Sequence, residues 1–166
     1  MERPLYAYDY ADVPYDDAIE LLATDPERLL QDATDRSAAH AEEVVGNLAV
    51  DLGGFELGRD VVIELDAFQP VEVLRGVLPL RWRAARGHLL FPTVDAQLEI
   101  TALSLSPPRV QVALTGSYDP PFGVAGDLLD RAGPHRVAEA VVHRFVREVT
   151  ARLELIAGGS DRSSRI

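Results

Sequence analysis

Residues 109–123 read RVQVALTGSYDPPFG, and this stretch decides the fold because it carries one pattern and then breaks it. Val110, Val112, Leu114 and Gly116 fall on one side of an extended chain, with Arg109, Gln111, Thr115 and Ser117 on the other, as the two-residue period of a strand requires. Pro120 and Pro121 end it, since consecutive prolines continue neither a ladder nor a helix interior. Beyond them the period changes. Val137 or Ala138, Val141, Val142, Phe145, Val149, Leu153 and Ile156 recur at spacings of three and four, while Arg136, Arg144, Arg147 and Arg152 fall mostly elsewhere, which predicts a long amphipathic helix. Gly133-Pro134 divides a shorter leading helix from it, and Gly158-Gly159 is expected to terminate it, leaving 160–166 as a flexible tail.

Working back from this stretch, the alternation repeats. Ala96, Leu98 and Ile100 oppose Gln97, Glu99 and Thr101; Leu78, Leu80, Trp82 and Ala84 oppose Arg81 and Arg83; Val61, Ile63 and Leu65 oppose Glu64 and Asp66. Val44, Gly46, Leu48, Val50 and Leu52 oppose Glu43, Asn47 and Asp51 ahead of a turn at Gly53-Gly54. This is an antiparallel meander with one apolar face. At the start of the chain PLYAYDY (4–10) alternates Tyr6, Tyr8 and Tyr10 as a first strand. Asp12-Val13-Pro14 follows as a helix start, with Asp12 as N-cap and Asp16 and Asp17 favouring the positive helix end; Asp25-Pro26 opens a second short helix through Leu29 and Leu30. The expected fold is therefore α+β: an antiparallel sheet of about six or seven strands wrapped around a long C-terminal helix, with two short helices after the first strand. Residues 1–159 form a single domain in this reading, without internal repeat or linker.

VLPLRWRA (77–84), LFPTVDAQLEI (90–100) and the stretch 109–123 leading into the final helix resemble the START-like superfamily, also called SRPBCC, which has the helix-grip fold. The likeness is to an uncharacterised branch related to polyketide cyclase/dehydrase and lipid-transport-like proteins. It implies a cavity between sheet and helix that in many relatives holds lipids, polyketides, plant hormones or other apolar molecules. By strand and helix parity its lining would be Leu78, Leu80, Trp82, Leu98, Ile100, Val112, Leu114, Gly116 and Tyr118, with Val141, Phe145 and Val149. A filled core has the same composition, so both readings stand at this level. At Gly116 a missing side chain on an inward position leaves room, or marks a bulge.

Composition sets the exclusions. Without cysteine there are no disulfides, thiolate metal sites or Cys nucleophiles. The net charge of −11 and a pI near 4.7, with sixteen basic residues all arginine, argue against nucleic acid or an anionic membrane as partner. Met1-Glu2-Arg3-Pro4 opens no signal peptide, and no apolar run approaches the roughly 20 residues of a membrane span. A cytoplasmic protein without integral membrane association is expected, as monomer or homodimer and without cofactor.

No catalytic residue is assigned. His135, Glu139 and His143 are spaced by four on the last helix, but the two histidines lie about 12 Å apart along it, too far to share a metal ion. Asp127, Asp130 and Arg131 read as a pocket rim or as ordinary charges at a helix start; Asp16, Asp17 and Glu20 read as a solvated helix face. Arg81 and Arg83 are expected on the outer sheet face, paired with Glu64, Glu99 or Asp66. Ser104, Ser106 and Ser117 have no nucleophile-elbow context, and no glycine-rich phosphate loop is present. Three functions follow: a non-catalytic carrier or sensor of a small hydrophobic molecule; a polyketide cyclase-type enzyme, for which Tyr118, the Trp82 indole N–H and His135 are the inward polar candidates; and a ligand-free protein-interaction domain. An exposed patch of Tyr6, Tyr8 and Tyr10 would point to oligomerisation.

Overall fold

The computed structural model describes residues 3–27, 29–34, 36–37, 61–84, 93–119 and 134–163. The expected strand at 44–52, its Gly53-Gly54 turn, Pro120-Pro121 and the charged group Asp127, Asp130 and Arg131 lie outside them. Six strands are present among the described residues: β1 (Arg3–Ala11), β2 (Val61–Leu65), β3 (Gln69–Glu72), β4 (Arg75–Ala84), β5 (Thr93–Leu105) and β6 (Pro108–Asp119). Three helical segments accompany them: α1 (Tyr15–Thr24), α2 within residues 26–37, and α3 (Pro134–Ser163). The strands pair antiparallel in the order β1-β6-β5-β4-β2, with β3 folded back on β4. The chain is α+β, and its C-terminal helix is gripped by the sheet: α3 packs on β1 and β6 and also meets α1.

The alternation of each strand is the cause of this layering. In β5 the burial alternates from Thr93 to Ile100, so that Val94, Ala96, Leu98 and Ile100 are all buried on the inner side. Along α3 the residues on the buried side, Val141, Val142, Phe145, Val146, Val149 and Leu153, are each no more than 2% exposed. Val94 and Val146 enlarge the core beyond the expected set, and Val110 joins it on the same side as Val112 and Leu114. Polar contacts pin the helix to the strand edge: Thr150 donates its hydroxyl to Asp9 (2.8 Å), and the Asp12 N–H donates to Glu154 (2.8 Å). On the other side α2 is tied to α3 by ion pairs of Arg36 with Glu148 and of Asp32 with Arg152.

Several expectations are corrected. Asp12 does not cap α1; the cap position is Pro14, without a side-chain bond, and Asp12 instead accepts from Arg109 Nε at 2.6 Å. α3 runs through Gly158 and Gly159 to Ser163, because neither glycine adopts the left-handed backbone that ends a helix. Ile156 is 36% exposed and falls outside the stripe, whose last fully buried member is Leu153, with Ala157 partly buried beyond it. A hairpin precedes the expected start at Leu78: β3 turns into β4 through Val73 and Leu74, the latter at φ 61°. Arg81 donates to Asp95 across the strand, at 2.6 Å, an acid outside the expected set, while the charge of Asp66, one of the expected acids, also acts on it.

Candidate functional site

The register lines up the inward residues of neighbouring strands in rows. Ile63, Trp82, Val94 and Tyr118 form one row; Leu80, Ala96, Gly116 and Leu5 the next; then Leu78, Leu98, Leu114 and Ala7. These rows, the next inward pair Ile100 and Val112, and the facing side of α3 contain every residue expected to line a cavity. Leu78, Leu80, Trp82, Leu98, Ile100, Val112, Leu114, Tyr118, Val141, Phe145 and Val149 are all buried in one cluster. Parity alone selects the side chains that come together.

The Trp82 indole meets the Phe145 ring edge to face, with centroids 4.7 Å apart and planes at 80°. Gly116 leaves no room. A Cβ there would be built 2.5 Å from Ala96 Cα and against the Asp95 carbonyl, so its hydrogen marks a close approach of β6 to β5. Two hollows among the described residues are small. One of about 50 Å³ lies at the mouth formed by Pro4, Leu5, Tyr6, Tyr118, Glu139, Val142 and His143; another of about 80 Å³ lies between α2 and α3.

Polar chemistry inside is sparse. Among the described residues the buried polar side chains are Thr34, Ser37 and Thr150, and the first two return their hydroxyls to helix carbonyls. Trp82 is fully buried, and its Nε1–H has no hydrogen-bond partner among the described residues. Perturbed titrations lie elsewhere. Glu99, on the outer sheet face, accepts from Arg75 at 2.8 Å and from Thr101; the Arg75 hydrogen bond holds its carboxyl below the ordinary value. The hydrogen bond from Arg109 does the same for Asp12, and burial raises the Tyr15 phenol.

The other sequence candidates do not converge. Among the described residues no group of three His, Cys, Asp or Glu side chains is placed to hold a metal ion. His135 falls on α3, while Glu139 and His143 are exposed at the small mouth. Asp16, Asp17 and Glu20 lie on α1, away from the inner face, with Asp16 and Asp17 in its first turn. No helix among the described residues is long and apolar enough to cross a membrane. What sequence reading missed is Asp9: its parity with Leu5 and Ala7 places a carboxylate on the inner side of β1, which signals a partner on α3.

No family model matches the chain, and no curated protein matches it. Solved structures with a similar fold include a hypothetical protein from Helicobacter pylori (14% identity, 93% of this chain and 88% of that one, TM-score 0.47). They also include a protein from Thermus thermophilus (12% identity, 93% and 99%, TM-score 0.37) and the Zhui aromatase/cyclase from a Streptomyces species (16% identity, 99% and 97%, TM-score 0.35).

Proposed function

We propose that residues 1–159 act as one unit that binds a small hydrophobic molecule, lipid- or polyketide-like, between the sheet and α3, as a non-catalytic carrier or sensor in the cytoplasm. The observation that carries this reading is the continuity of the apolar inner face: three successive cross-strand rows meet a helix stripe with no charged side chain fully buried among the described residues. Such a surface binds by hydrophobic transfer and shape. The lining proposed is the set of twelve residues named by parity, Gly116 included as the position where backbone rather than side chain bounds the site.

A second reading, a ligand-free protein-interaction domain, draws on the outer face. Tyr6, Tyr8 and Tyr10 are 57%, 47% and 45% exposed and line up along β1 with adjacent ring centroids 5.7 and 5.6 Å apart, one pair tilted and the other edge-on. Aromatic side chains in a contiguous exposed ladder are enriched at protein interfaces.

Native mass spectrometry of the purified protein, followed by denaturing extraction, separates the two. A stoichiometric apolar adduct is expected under the first reading. A clean apo mass, with no thermal stabilisation across a lipid and polyketide panel, would leave the second.

A further inference from the structure

The apolar inner face contains one donor that the described residues do not satisfy. Trp82 is 0% exposed and its Nε1–H finds no acceptor among them. Its neighbours explain why: Ile63 and Val94 flank it across the strands and Phe145 closes over it edge-on, and none carries a side-chain acceptor. Buried polar groups are nearly always paired, and a donor left unmet in an apolar interior loses the water it had in the unfolded chain without replacement. Phenylalanine or leucine would fill an apolar core without that loss.

We propose that the hydrophobic molecule carries an uncharged carbonyl oxygen, as in a ketone or ester, and that Trp82 Nε1–H donates to it. This rests on the binding reading given above. The indole is a donor only, so its counterpart must be an acceptor. It must also be neutral, because no Arg or His is among the fully buried described residues and an unpaired buried carboxylate is costly. Placement supports an oriented ligand. Trp82 belongs to the row nearest the end of β4 and the start of β5, the row that also holds Tyr118, whereas the next two rows present the aliphatic groups Leu80, Ala96, Leu5, Leu78, Leu98 and Leu114. The carbonyl thus lies at the Trp82 row and the hydrocarbon extends along the strands toward Leu78 and Leu98.

The chain has a single tryptophan, so one indole N–H resonance reports the site directly. Calorimetric titration uses three matched series of increasing chain length: methyl ketones, the hydrocarbons in which a methylidene group replaces the carbonyl, and fatty acids. The ketone is expected to bind about five-fold more tightly than its methylidene counterpart, the worth of one neutral hydrogen bond. The Trp82→Phe protein should lose that preference while still binding both. In the native protein the indole proton should move downfield with the ketone and not with the hydrocarbon, a readout that does not depend on the variant's folding. Equal affinity for ketone and hydrocarbon with an unmoved indole proton overturns this proposal and leaves the carrier reading intact. Preference for the fatty acid overturns the neutral-carbonyl assignment. Binding of none of the three series sinks the carrier reading and this proposal with it.

Discussion

At Gly116 one hydrogen atom lets β6 lie against β5. The atoms a methyl group would meet are the Asp95 carbonyl oxygen and the Ala96 Cα, which belong to the backbone of the paired strand and cannot turn aside. Gly116→Ala is therefore expected to destabilise the fold by about 1–3 kcal/mol, the usual cost of overpacking, read as a lower urea midpoint. Contrast Gly76, where the crowding atoms belong to the Phe68 ring, a side chain that is able to move. Glu99 gives a second expectation. Its carboxyl titrates below the ordinary glutamate value because Arg75 donates to the ionised form, so the native state favours the charged acid. That contribution is complete above the unfolded-state value and disappears as pH falls through the lowered native one. Glu99→Gln should lower the urea midpoint modestly near neutrality, the pair being partly exposed, and the gap from the native protein should close as the solution is acidified. A pH-independent gap would contradict this. Neither residue was legible at this level in the sequence. Alternation tells which way Gly116 and Glu99 point, but inter-strand distance and the choice of cation depend on register, which no single strand encodes.

At the scale of elements, periodicity carried most of the information. Of the apolar residues spaced by three and four in α3, Val141, Val142, Phe145, Val149 and Leu153 reach the core while Ile156 does not, and in β5 the expected inward set Ala96, Leu98 and Ile100 is buried. Ends were less legible. A glycine pair stops a helix only if the backbone can profitably turn left-handed there, and at Gly158 and Gly159 it stays helical with nothing within 4 Å of either position. The β3–β4 hairpin escaped notice because its turn, Val73-Leu74, contains none of the glycine or asparagine that usually announces one. The distinction between stripe and end is testable. Phe145→Ala removes a fully buried ring from its edge-on contact with Trp82 and should cost about 3–5 kcal/mol. Ile156→Ala, beyond the last fully buried residue of the stripe, should stay within about 0.5 kcal/mol of the native protein in the same denaturation experiment. Equal losses would mean that the sheet grips α3 beyond Leu153.

For the whole molecule, the sheet separates two kinds of surface. Its inner side is mainly apolar, with one orphan indole N–H among the described residues; its outer side is polar, stitched by Arg75–Glu99 and Arg81–Asp95, and gives way at β1 to three tyrosines. The fold class and the membership of the inner face were readable from the chain because both depend on side-chain parity. Whether that face holds a guest was not, because a cavity is a property of how neighbouring volumes fail to fill space, and composition records only what the volumes are. One pairing has a bearing on time rather than on form. β1 lies beside β6, joining residues roughly a hundred positions apart along the chain, while β4, β5 and β6 meet through neighbours in sequence. The three-stranded meander can assemble by short loop closures, but the tyrosine strand must wait for its far partner and for the helix that seats against both. Of the described pairings in the sheet, the return of the first strand closes the longest loop, and until it arrives the edge of β6 stands open to any other strand that comes by.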